Sequence, residues 1–565
     1  MTRVRSACRL LSALLVLAAT SAAAQPPGPR CDLLFAGGRV VDGTGAPWFR
    51  GDVCVVGDRI AAVGRLEGAT ARRRIDATGL VVAPGFIDML GQSEYSLLVD
   101  PRGASKITQG ITTEITGEGS SIAPVNRRML DEQRAVFERY GVTPDFTTLA
   151  GYFAALERAR PALNLGTFVG AGGVRDLVIG KADRPATPEE LRAMEAAVDQ
   201  AMREGALGLS TSLQYVPDRY ASTEEIIALA KVAARHGGTY ITHQRSESAR
   251  IDESLDEVFR IAREAGIAAQ VWHLKTAYRP NWGRMPAVLK RLEQARAEGL
   301  DVSANQYPYA AAMNGLDACL PLWAREGGRA ALIERLKDPQ TRERIKADIA
   351  RDDPSWENQY LGAGGASGVM VGSVLAPALK QYEGRTLAQI AEDEAKDPLD
   401  VLLDLIEADG ANGYGILFIM DEDDVRAGLR HPLVSMCTDS GASATDGVFG
   451  RERGHPRGWG SAARILGRYV REEKLLSLEE AVRKMTSLPA SRLGLHDRGQ
   501  VRPGLVADLV AFDPRTVADR ATFAEPRQYS VGIPFVAVNG ELVVDGGKLT
   551  AARPGRVVRG PGFRP

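Results

Sequence analysis

Hydrophobic and polar positions alternate in a regular way over most of the chain. Between about residues 81 and 495, short runs rich in Val, Ile and Leu are separated by amphipathic segments with helical spacing, such as "TPEELRAMEAAVDQAMREG" (residues 187–205) and "TEEIIALAKVAARHG" (residues 223–237). Strand and helix segments that alternate in this way predict an α/β fold with a parallel (β/α)8 TIM-like barrel. The strand candidates are "LVVAPGFID", "ITTEITG", "LGTFVGAGG", "ALGLSTS", "GTYITH", "AAQVWH", "LDVSANQYPY", "YGILFIM" and "LVSMCTD". A barrel of this type has eight strands, so at least one candidate is extra.

The two ends of this region are flanked by a different pattern. Residues 31–80 and 496–556 contain short β-rich runs broken by Gly and Asp-Gly turns, which is typical of antiparallel strands. We therefore expect a small β-sandwich domain built from both ends of the chain, with the barrel over residues 81–495.

One interval inside the barrel region is longer than a single barrel helix requires. Residues 316–406 contain predicted helical pieces around "LGAGGASGVMVGS", which we expect to be a Gly-rich loop. Long inserts of this kind often act as lids, so we expect a cap near the barrel mouth. The alternative is a peripheral excursion without a catalytic part.

The N-terminus has the pattern of an export signal. Residues 1–24 contain three arginines, an apolar run and the small-residue sequence Ala22-Ala23-Ala24. This pattern predicts a cleaved signal peptide, whereas a membrane anchor would need a longer apolar run. We expect a periplasmic or secreted protein with no membrane anchor after cleavage.

Four cysteines lie beyond the predicted signal: Cys31, Cys54, Cys319 and Cys437. A disulfide is compatible with export, and Cys31 with Cys54 is the near pair. Four scattered cysteines in a long chain are nevertheless not a disulfide framework, so the sequence favours buried free thiols.

Composition narrows the range of partners. Of 565 residues, 44% are hydrophobic and 25% charged, and the formal net charge is −1. That balance is typical of a globular protein with a full core, and no block of like charges marks a nucleic-acid or anionic-membrane surface. A small-molecule substrate is the better expectation.

Two of the six histidines end neighbouring strand candidates: His243 in "YITHQRSES" and His273 in "VWHLKTAY". Imidazoles that project from adjacent barrel strands into the mouth can share a metal ion, most often zinc. Asp439, in "SMCTDSGAS", follows the last strand candidate. A carboxylate there can bind the metal or accept a proton from water, although taken alone it could also be a helix N-cap.

Several longer phrases carry a family resemblance. "APGFID", "THQRSES", "HLKTAY", "YPYAA", "CTDS", "HPRGWGSAARILGRYVREEKLLSLEEAVRKMTSLPASRLGL" and "GLVADLVAFDP" together resemble the N-acyl-D-amino-acid deacylase (D-aminoacylase) branch of the amidohydrolase superfamily. The resemblance runs from about residue 32 to 547. It implies a (β/α)8 barrel with a small β-sandwich, and an amide-cleaving site that uses zinc-activated water.

The resemblance also assigns roles to individual residues. It implies that His243 and His273 bind zinc, that Asp439 is the catalytic aspartate, and that Arg457 and Lys275 bind substrate, with Arg457 on its α-carboxylate. Two tyrosines fall where family tyrosines line the pocket: Tyr215 and Tyr307. Taken alone, each of these substrate-binding residues has an ordinary structural explanation. Arg457 could form a surface ion pair, Lys275 could be a solvated lysine at a strand end, and the tyrosines could pack in the core.

The chain departs from the family pattern at two places. Leu90 and Gln92 replace the usual pair of histidines, and "GEGS" (residues 117–120) replaces "GNCG", which carries a cysteine ligand. A site with two metals is therefore not expected. Glu118 lies beside the missing thiolate and can supply a carboxylate oxygen, giving a Glu/His/His site for one ion. Glu94 and Glu114 are weaker alternatives for this ligand.

These observations predict a metal-dependent amidohydrolase that cleaves N-acyl (D-)amino acids or related small amides such as dipeptides or cyclic imides. The rival hypothesis is a non-catalytic small-molecule binding protein that kept the pocket and lost the metal. Its support is the loss of the histidine pair and the cysteine.

Overall fold

The computed structural model describes residues 28–351, 353 and 356–564, so the predicted signal peptide lies outside the described residues. In chain order the described strands are β1 (Arg30–Val40), β2 (Phe49–Val56), β3 (Arg59–Gly64), β4 (Thr70–Asp76), β5 (Val81–Pro84), β6 (Phe86–Asp88), β7 (Ile111–Thr116), β8 (Asn164–Thr167), β9 (Val169–Gly170), β10 (Gly208–Ser212), β11 (Thr239–His243), β12 (Ala269–Val271), β13 (Val302–Gln306), β14 (Ala312–Gly315), β15 (Val369–Ser373), β16 (Tyr414–Leu417), β17 (Val434–Met436), β18 (Leu509–Phe512), β19 (Phe535–Val538), β20 (Glu541–Asp545) and β21 (Lys548–Leu549).

The α-helices of the described chain are α1 (Ser96–Val99), α2 (Ala104–Ile107), α3 (Arg127–Glu132), α4 (Arg134–Tyr140), α5 (Leu149–Ala159), α6 (Ala171–Val178), α7 (Pro188–Glu204), α8 (Thr223–Arg235), α9 (Ile251–Ala265), α10 (Met285–Ala297), α11 (Leu322–Arg325), α12 (Gly328–Leu336), α13 (Pro339–Ala350), α14 (Gln359–Gly362), α15 (Leu387–Glu394), α16 (Pro398–Ala408), α17 (Glu422–Arg430), α18 (Arg457–Arg464), α19 (Leu478–Met485) and α20 (Ser487–Arg492). A π-helix, Ile465–Glu472, continues α18. None of the described helices is long and apolar enough to cross a membrane.

The amphipathic segments form helices where the sequence predicts them. Helix α7 begins with a capping box, in which Thr187 and Glu190 satisfy each other's backbone N–H groups, and it ends at Gly205 in the left-handed conformation. These are the start and stop signals that favour a helix over residues 187–205. Ser222 caps α8 in a similar way, through a hydrogen bond from the Glu225 N–H.

Strands from both ends of the chain share one nine-stranded sheet. Its order is β21-β20-β19-β18-β5-β1-β2-β3, with β4 paired to β1. The link between the two ends is β18, which pairs antiparallel with β5 at Val510 and Ala83. Buried side chains from both ends, including Phe35, Val53 and Leu509, belong to one hydrophobic cluster.

Nine strands of the alternating region form two parallel sheets, β6-β7-β8 and β9-β10-β11-β12-β13-β17. Every strand pairing within these two sheets is parallel. Because helices connect the strands, the carboxyl ends of the strands point to the same side, where active groups collect in such folds. The candidate "LVVAPGFID" splits into β5, in the nine-stranded sheet, and β6, in a parallel sheet.

The extra strand candidate is "YGILFIM". Strand β16 pairs antiparallel with β14 and β15 in a separate three-stranded sheet, outside the parallel sheets. The expectation that the stretch "LGAGGASGVMVGS" is a loop is wrong for its second half, because Val369–Ser373 is β15, and Val369 and Val371 are buried. Apolar side chains at these positions pack inward, and the glycines before them form the turn.

The cysteines correct another expectation. Cys31 and Cys54 form a disulfide, with their Cα atoms 5.5 Å apart, so the prediction of free thiols is wrong for this pair. The pairing of β1 with β2 brings the two residues into disulfide range, which spacing in the sequence does not reveal. Cys319 and Cys437 are buried free thiols, as predicted.

Candidate metal centre and active site

Four of the predicted site residues lie at or just beyond the carboxyl ends of parallel strands. His243 is the last residue of β11, His273 and Glu118 each follow their strand by two residues, and Asp439 follows β17 by three. They line one cavity of about 350 Å³ together with Lys275, Arg457, Tyr215 and Tyr307. The structure therefore brings together all eight residues that the sequence nominated. Gln92, Gln214, Glu247, Tyr278, Asn314, Gln359, Tyr414, Leu417 and Ile419 also line this cavity.

Glu118, His243 and His273 form a cluster with the geometry of a metal site. Glu118 Oε1 lies 2.9 Å from His243 Nδ1 and 3.1 Å from His273 Nε2. One ligand atom from each residue lies within 4.8 Å of the other two. A carboxylate with two imidazoles is a donor set that suits zinc, and it leaves a coordination position for water or substrate. The alternatives Glu94 and Glu114 are not part of this cluster.

The second oxygen of Glu118 has a different partner. The side-chain amide of Gln92 donates a hydrogen bond to Glu118 Oε2 at 2.7 Å. Burial alone would raise the pKa of Glu118, but hydrogen bonds from His243 and His273 lower it well below its ordinary value. Glu118 is therefore an ionised carboxylate with both oxygens engaged. Leu90, the other position of the missing histidine pair, is buried and carries no donor atom.

Lys275 and Glu247 surround the other nitrogen of His273. Lys275 Nζ lies 2.6 Å from Glu247 Oε1 and 2.7 Å from His273 Nδ1, while Glu247 Oε1 lies 3.0 Å from His273 Nδ1. Burial and the Lys275 charge lower the pKa of His273, but the carboxylates of Glu247 and Glu118 outweigh them and raise it to about 9. The backbone N–H of His273, held at φ 33°, donates to Asn305 Oδ1 at 2.7 Å. This ring is thus fixed in position from several sides.

His243 is held through its second ring nitrogen. His243 Nε2 lies 2.9 Å from Gln214 Oε1, and the ring of Tyr215 packs edge-on against the imidazole with centroids 5.0 Å apart. The Tyr215 hydroxyl accepts a hydrogen bond from Asn314 Nδ2 at 3.0 Å. Since Asn314 lies on β14, this contact ties the three-stranded sheet of β14, β15 and β16 to the wall of the candidate metal centre.

Asp439 and Arg457 form an ion pair in the wall of the cavity. Asp439 Oδ2 and Arg457 Nη1 form an ion pair at 2.7 Å. Arg457 is the first residue of α18 and is buried, and its guanidinium stacks over the Tyr307 ring at 4.7 Å. Burial would lower the pKa of Arg457, but the neighbouring Asp439 charge helps to raise it. The two side chains predicted to act on the substrate are therefore a coupled pair.

A buried network fixes the loop that carries Asp439. Lys106 Nζ is fully buried and donates to Asp88 Oδ2 at 2.7 Å, to Thr438 Oγ1 at 2.6 Å and to the Ser440 carbonyl at 2.6 Å. Asp439 itself has a left-handed backbone, φ 48°. Because residues on both sides of Asp439 are tied to Lys106, the strained conformation of Asp439 is held by its surroundings.

Sequence reasoning missed four residues of this site: Gln92, Lys106, Gln214 and Glu247. Glu247 had a signal, since it lies in "THQRSES" four residues after His243, but only the fold shows that it reaches Lys275 and His273. In the sequence, Gln92 indicates only that a histidine ligand is missing. Lys106 resembles an ordinary helix lysine, and nothing in the sequence marks Gln214.

Known proteins are similar to this chain over most of its length. A family model described as the amidohydrolase family matches residues 73–544. The chain is 37% identical over 535 residues to a D-aminoacylase of Alcaligenes xylosoxydans xylosoxydans, covering 93% of this chain and 97% of the relative. The chain belongs to the amidohydrolase family. The resemblance inferred from its motifs is thus confirmed over nearly the whole described length.

Two solved structures of amidohydrolases are similar in fold and sequence. One is a D-aminoacylase structure from work on one-metal activation and second-metal attenuation of its binuclear centre. Its TM-score is 0.77 and its sequence identity 36%, and the match covers 93% of this chain and 99% of that chain. The N-acyl-D-glutamate deacylase of Bordetella bronchiseptica, complexed with zinc and a phosphonate that mimics the tetrahedral intermediate, has a TM-score of 0.77 and 34% identity, covering 94% and 100%.

Proposed function

We propose that this amidohydrolase is a single-metal N-acyl-D-amino-acid deacylase, which uses water to cleave the amide bond between the acyl group and the amino acid. The relatives with the longest matches described above are a D-aminoacylase and an N-acyl-D-glutamate deacylase. The observation that carries the proposal is the cluster of Glu118, His243 and His273 in the same cavity as Asp439 and Arg457.

The residues of this cluster fit a divalent ion. Glu118, His243 and His273 would hold it, since their ligand atoms lie within 4.8 Å of one another and the other nitrogen of each ring already has a protein partner. When bound, zinc supplies Lewis-acid chemistry that polarises the amide carbonyl and acidifies water. One ion is proposed, because Leu90 offers no donor and Gln92 occupies the second oxygen of Glu118.

The remaining groups move the proton and hold the substrate. Asp439 acts as the general base, which accepts a proton from the attacking water and later delivers it to the leaving amine. Arg457 binds the α-carboxylate, a task that suits its planar guanidinium, while Lys275 and Tyr307 line the same wall. Tyr215 borders the cavity beside His243. On carboxylate binding, Arg457 would share its positive charge between the substrate and Asp439.

The parallel strands form one closed (β/α)8 barrel in this proposal. Support comes from both seams between the two parallel sheets. At one seam the Met89 N–H donates to the Met436 carbonyl at 3.4 Å, and Gly91 forms a parallel bridge with Ser440. At the other seam β8 and β9 are separated by Phe168 alone, and the Leu207 N–H donates to the Thr167 carbonyl at 2.9 Å.

Export to the periplasm or the medium is also proposed. The pattern of residues 1–24 supports it, and so does the disulfide between Cys31 and Cys54, because disulfides persist in oxidising compartments. Cell fractionation of the natural host, with N-terminal sequencing of the mature chain, tests this point. Cytoplasmic protein with an intact N-terminus would contradict it.

The function is tested by assaying zinc-replete protein with N-acetyl amino acids of both configurations, with dipeptides and with cyclic imides. Release of acetate from D-configured substrates is expected. Turnover of only dipeptides or cyclic imides would move the enzyme to another substrate class. No turnover of any of them would favour a binding protein.

A further inference from the structure

A second, smaller cavity adjoins the cavity of the candidate metal centre. Its volume is about 40 Å³, enough for a carboxylate-sized group. Three residues line both cavities: Gln214, Tyr215 and Gln359. Four arginines line the smaller one, which we call the arginine cavity: Arg219, Arg245, Arg250 and Arg325.

Two of these arginines are neutralised within the protein. Arg245 forms two hydrogen bonds with Glu257, from Nε and Nη2, both at 2.9 Å. Arg325 Nε donates to Asp317 Oδ2 at 3.2 Å. These two side chains shape the cavity wall, but their charges are already balanced.

The other two, Arg219 and Arg250, form no ion pair with any residue in the described part of the chain. Arg219 is half-buried and Arg250 is exposed. Burial, together with the positive charges of Arg250 and Arg245, lowers the pKa of Arg219. Two cations that are close enough to repel each other, without an acidic partner, make a place where an anion is stabilised.

The acidic residue of the arginine cavity is Glu357, and its carboxylate is already engaged. Glu357 Oε1 accepts hydrogen bonds from Ser246 Oγ at 2.6 Å and Ser248 Oγ at 2.7 Å, and Oε2 accepts one from Gln214 Nε2. Its charge offsets part of the positive field at Arg219. It does not pair with either free guanidinium.

We infer that Arg219 and Arg250 bind a second carboxylate of the substrate, so that the preferred substrates are N-acyl amino acids with two carboxylates. This inference rests on the proposed function, in which Arg457 binds the α-carboxylate. Because Gln214, Tyr215 and Gln359 line both cavities, a group that extends from the larger cavity past these side chains would reach the arginine cavity. Both the amino-acid side chain and the acyl group can carry such a carboxylate.

The test compares kcat/KM for matched substrates that differ only in charge. N-acetyl-D-glutamate is paired with N-acetyl-D-glutamine, and N-succinyl-D-alanine with N-succinamoyl-D-alanine, so the pairs separate side chain from acyl group. The charged member of one pair is expected to be preferred about tenfold or more, and less so at high salt. Arg250→Gln and Arg219→Gln should each reduce that preference several-fold and leave the neutral substrate unchanged. Because Arg250 is exposed, its variant is not expected to disturb folding.

Arg72→Gln is the control, since Arg72 is exposed on β4 and forms no ion pair in the described chain. Equal kcat/KM within both pairs, or a preference that survives both arginine variants, would overturn the inference. If zinc-replete protein turns over no N-acyl amino acid, the proposed function fails, and calorimetry with glutarate against butyrate then decides the anion site alone. Glutarate binding that weakens in Arg219→Gln and Arg250→Gln supports the site, and binding that is absent or unchanged overturns it.

Discussion

Gln92 donates its side-chain amide to Glu118 Oε2 at 2.7 Å, while Glu118 Oε1 lies within 3.1 Å of imidazole nitrogens of both His243 and His273. One oxygen of this carboxylate thus faces the candidate metal ligands and the other is held by an amide. The amide takes a position that a second ion would need in order to share Glu118. The contact fits the proposal of one ion in a chain that lacks the histidine pair.

Substitution of Glu118 should weaken metal binding. Glu118→Ala removes a ligand, and Glu118→Gln keeps its size but replaces an anionic oxygen by a neutral one, so both variants should retain less zinc after dialysis. Gln92→Ala should still retain one ion, because Gln92 is not a ligand in this account. Elemental analysis of the three proteins measures this. Unchanged zinc in Glu118→Ala would move the third ligand elsewhere.

Asp439→Asn should abolish most of the turnover without loss of metal. The amide oxygen can still accept a hydrogen bond from Arg457, but it cannot accept the proton of water, so kcat should fall by about 10² to 10⁴. Steady-state kinetics together with zinc analysis checks both parts. Nearly normal kcat would show that another group is the base.

Arg457→Lys should weaken the binding of substrates that have a free α-carboxylate. A lysine cannot reproduce two parallel hydrogen bonds, so KM should rise for N-acyl amino acids and change little for the corresponding amino-acid amides. The comparison is made on the zinc-replete variant. An equal loss for acids and amides would make Arg457 a structural residue that holds Asp439.

Asp218→Asn should change how stability depends on pH. Burial raises the pKa of Asp218 to about 7, so the folded protein holds this proton more tightly than the unfolded chain does. Folding is therefore penalised as pH rises from about 4 to 7, and the penalty is constant above that range. The difference in free energy of unfolding, variant minus wild type, should therefore increase from pH 5 to pH 8 by on the order of 1–3 kcal/mol. Denaturant titrations at both pH values measure this, and a difference that does not change with pH would contradict it.

Strand ends could be recognised from the sequence because apolar runs stop there and a polar residue follows. His243, His273 and Asp439 follow from this signal, whereas Glu118 follows from its place beside the cysteine that the family resemblance implies. In the structure all four residues line one cavity. Parallel strands with helical connections bring such residues to one side, so their convergence follows from the fold class.

Contacts between distant segments could not be predicted in the same way. The Cys31–Cys54 disulfide depends on strand pairing, and the position of β16 depends on its pairing with β14 and β15, of which β15 lies in the insert. The hydrogen bond from Gln92 to Glu118 spans two strand ends. None of these contacts leaves a mark in local hydrophobic periodicity, because each is decided by packing in three dimensions.

The most direct measurement is a zinc titration of chelator-stripped protein, followed by the rate of hydrolysis of the N-acyl-D-amino acid that is turned over fastest. We expect no turnover without zinc, a linear rise in rate as zinc is added, and a plateau at one equivalent per chain. A plateau that requires two equivalents, or turnover by the fully stripped protein, would contradict the single-metal proposal.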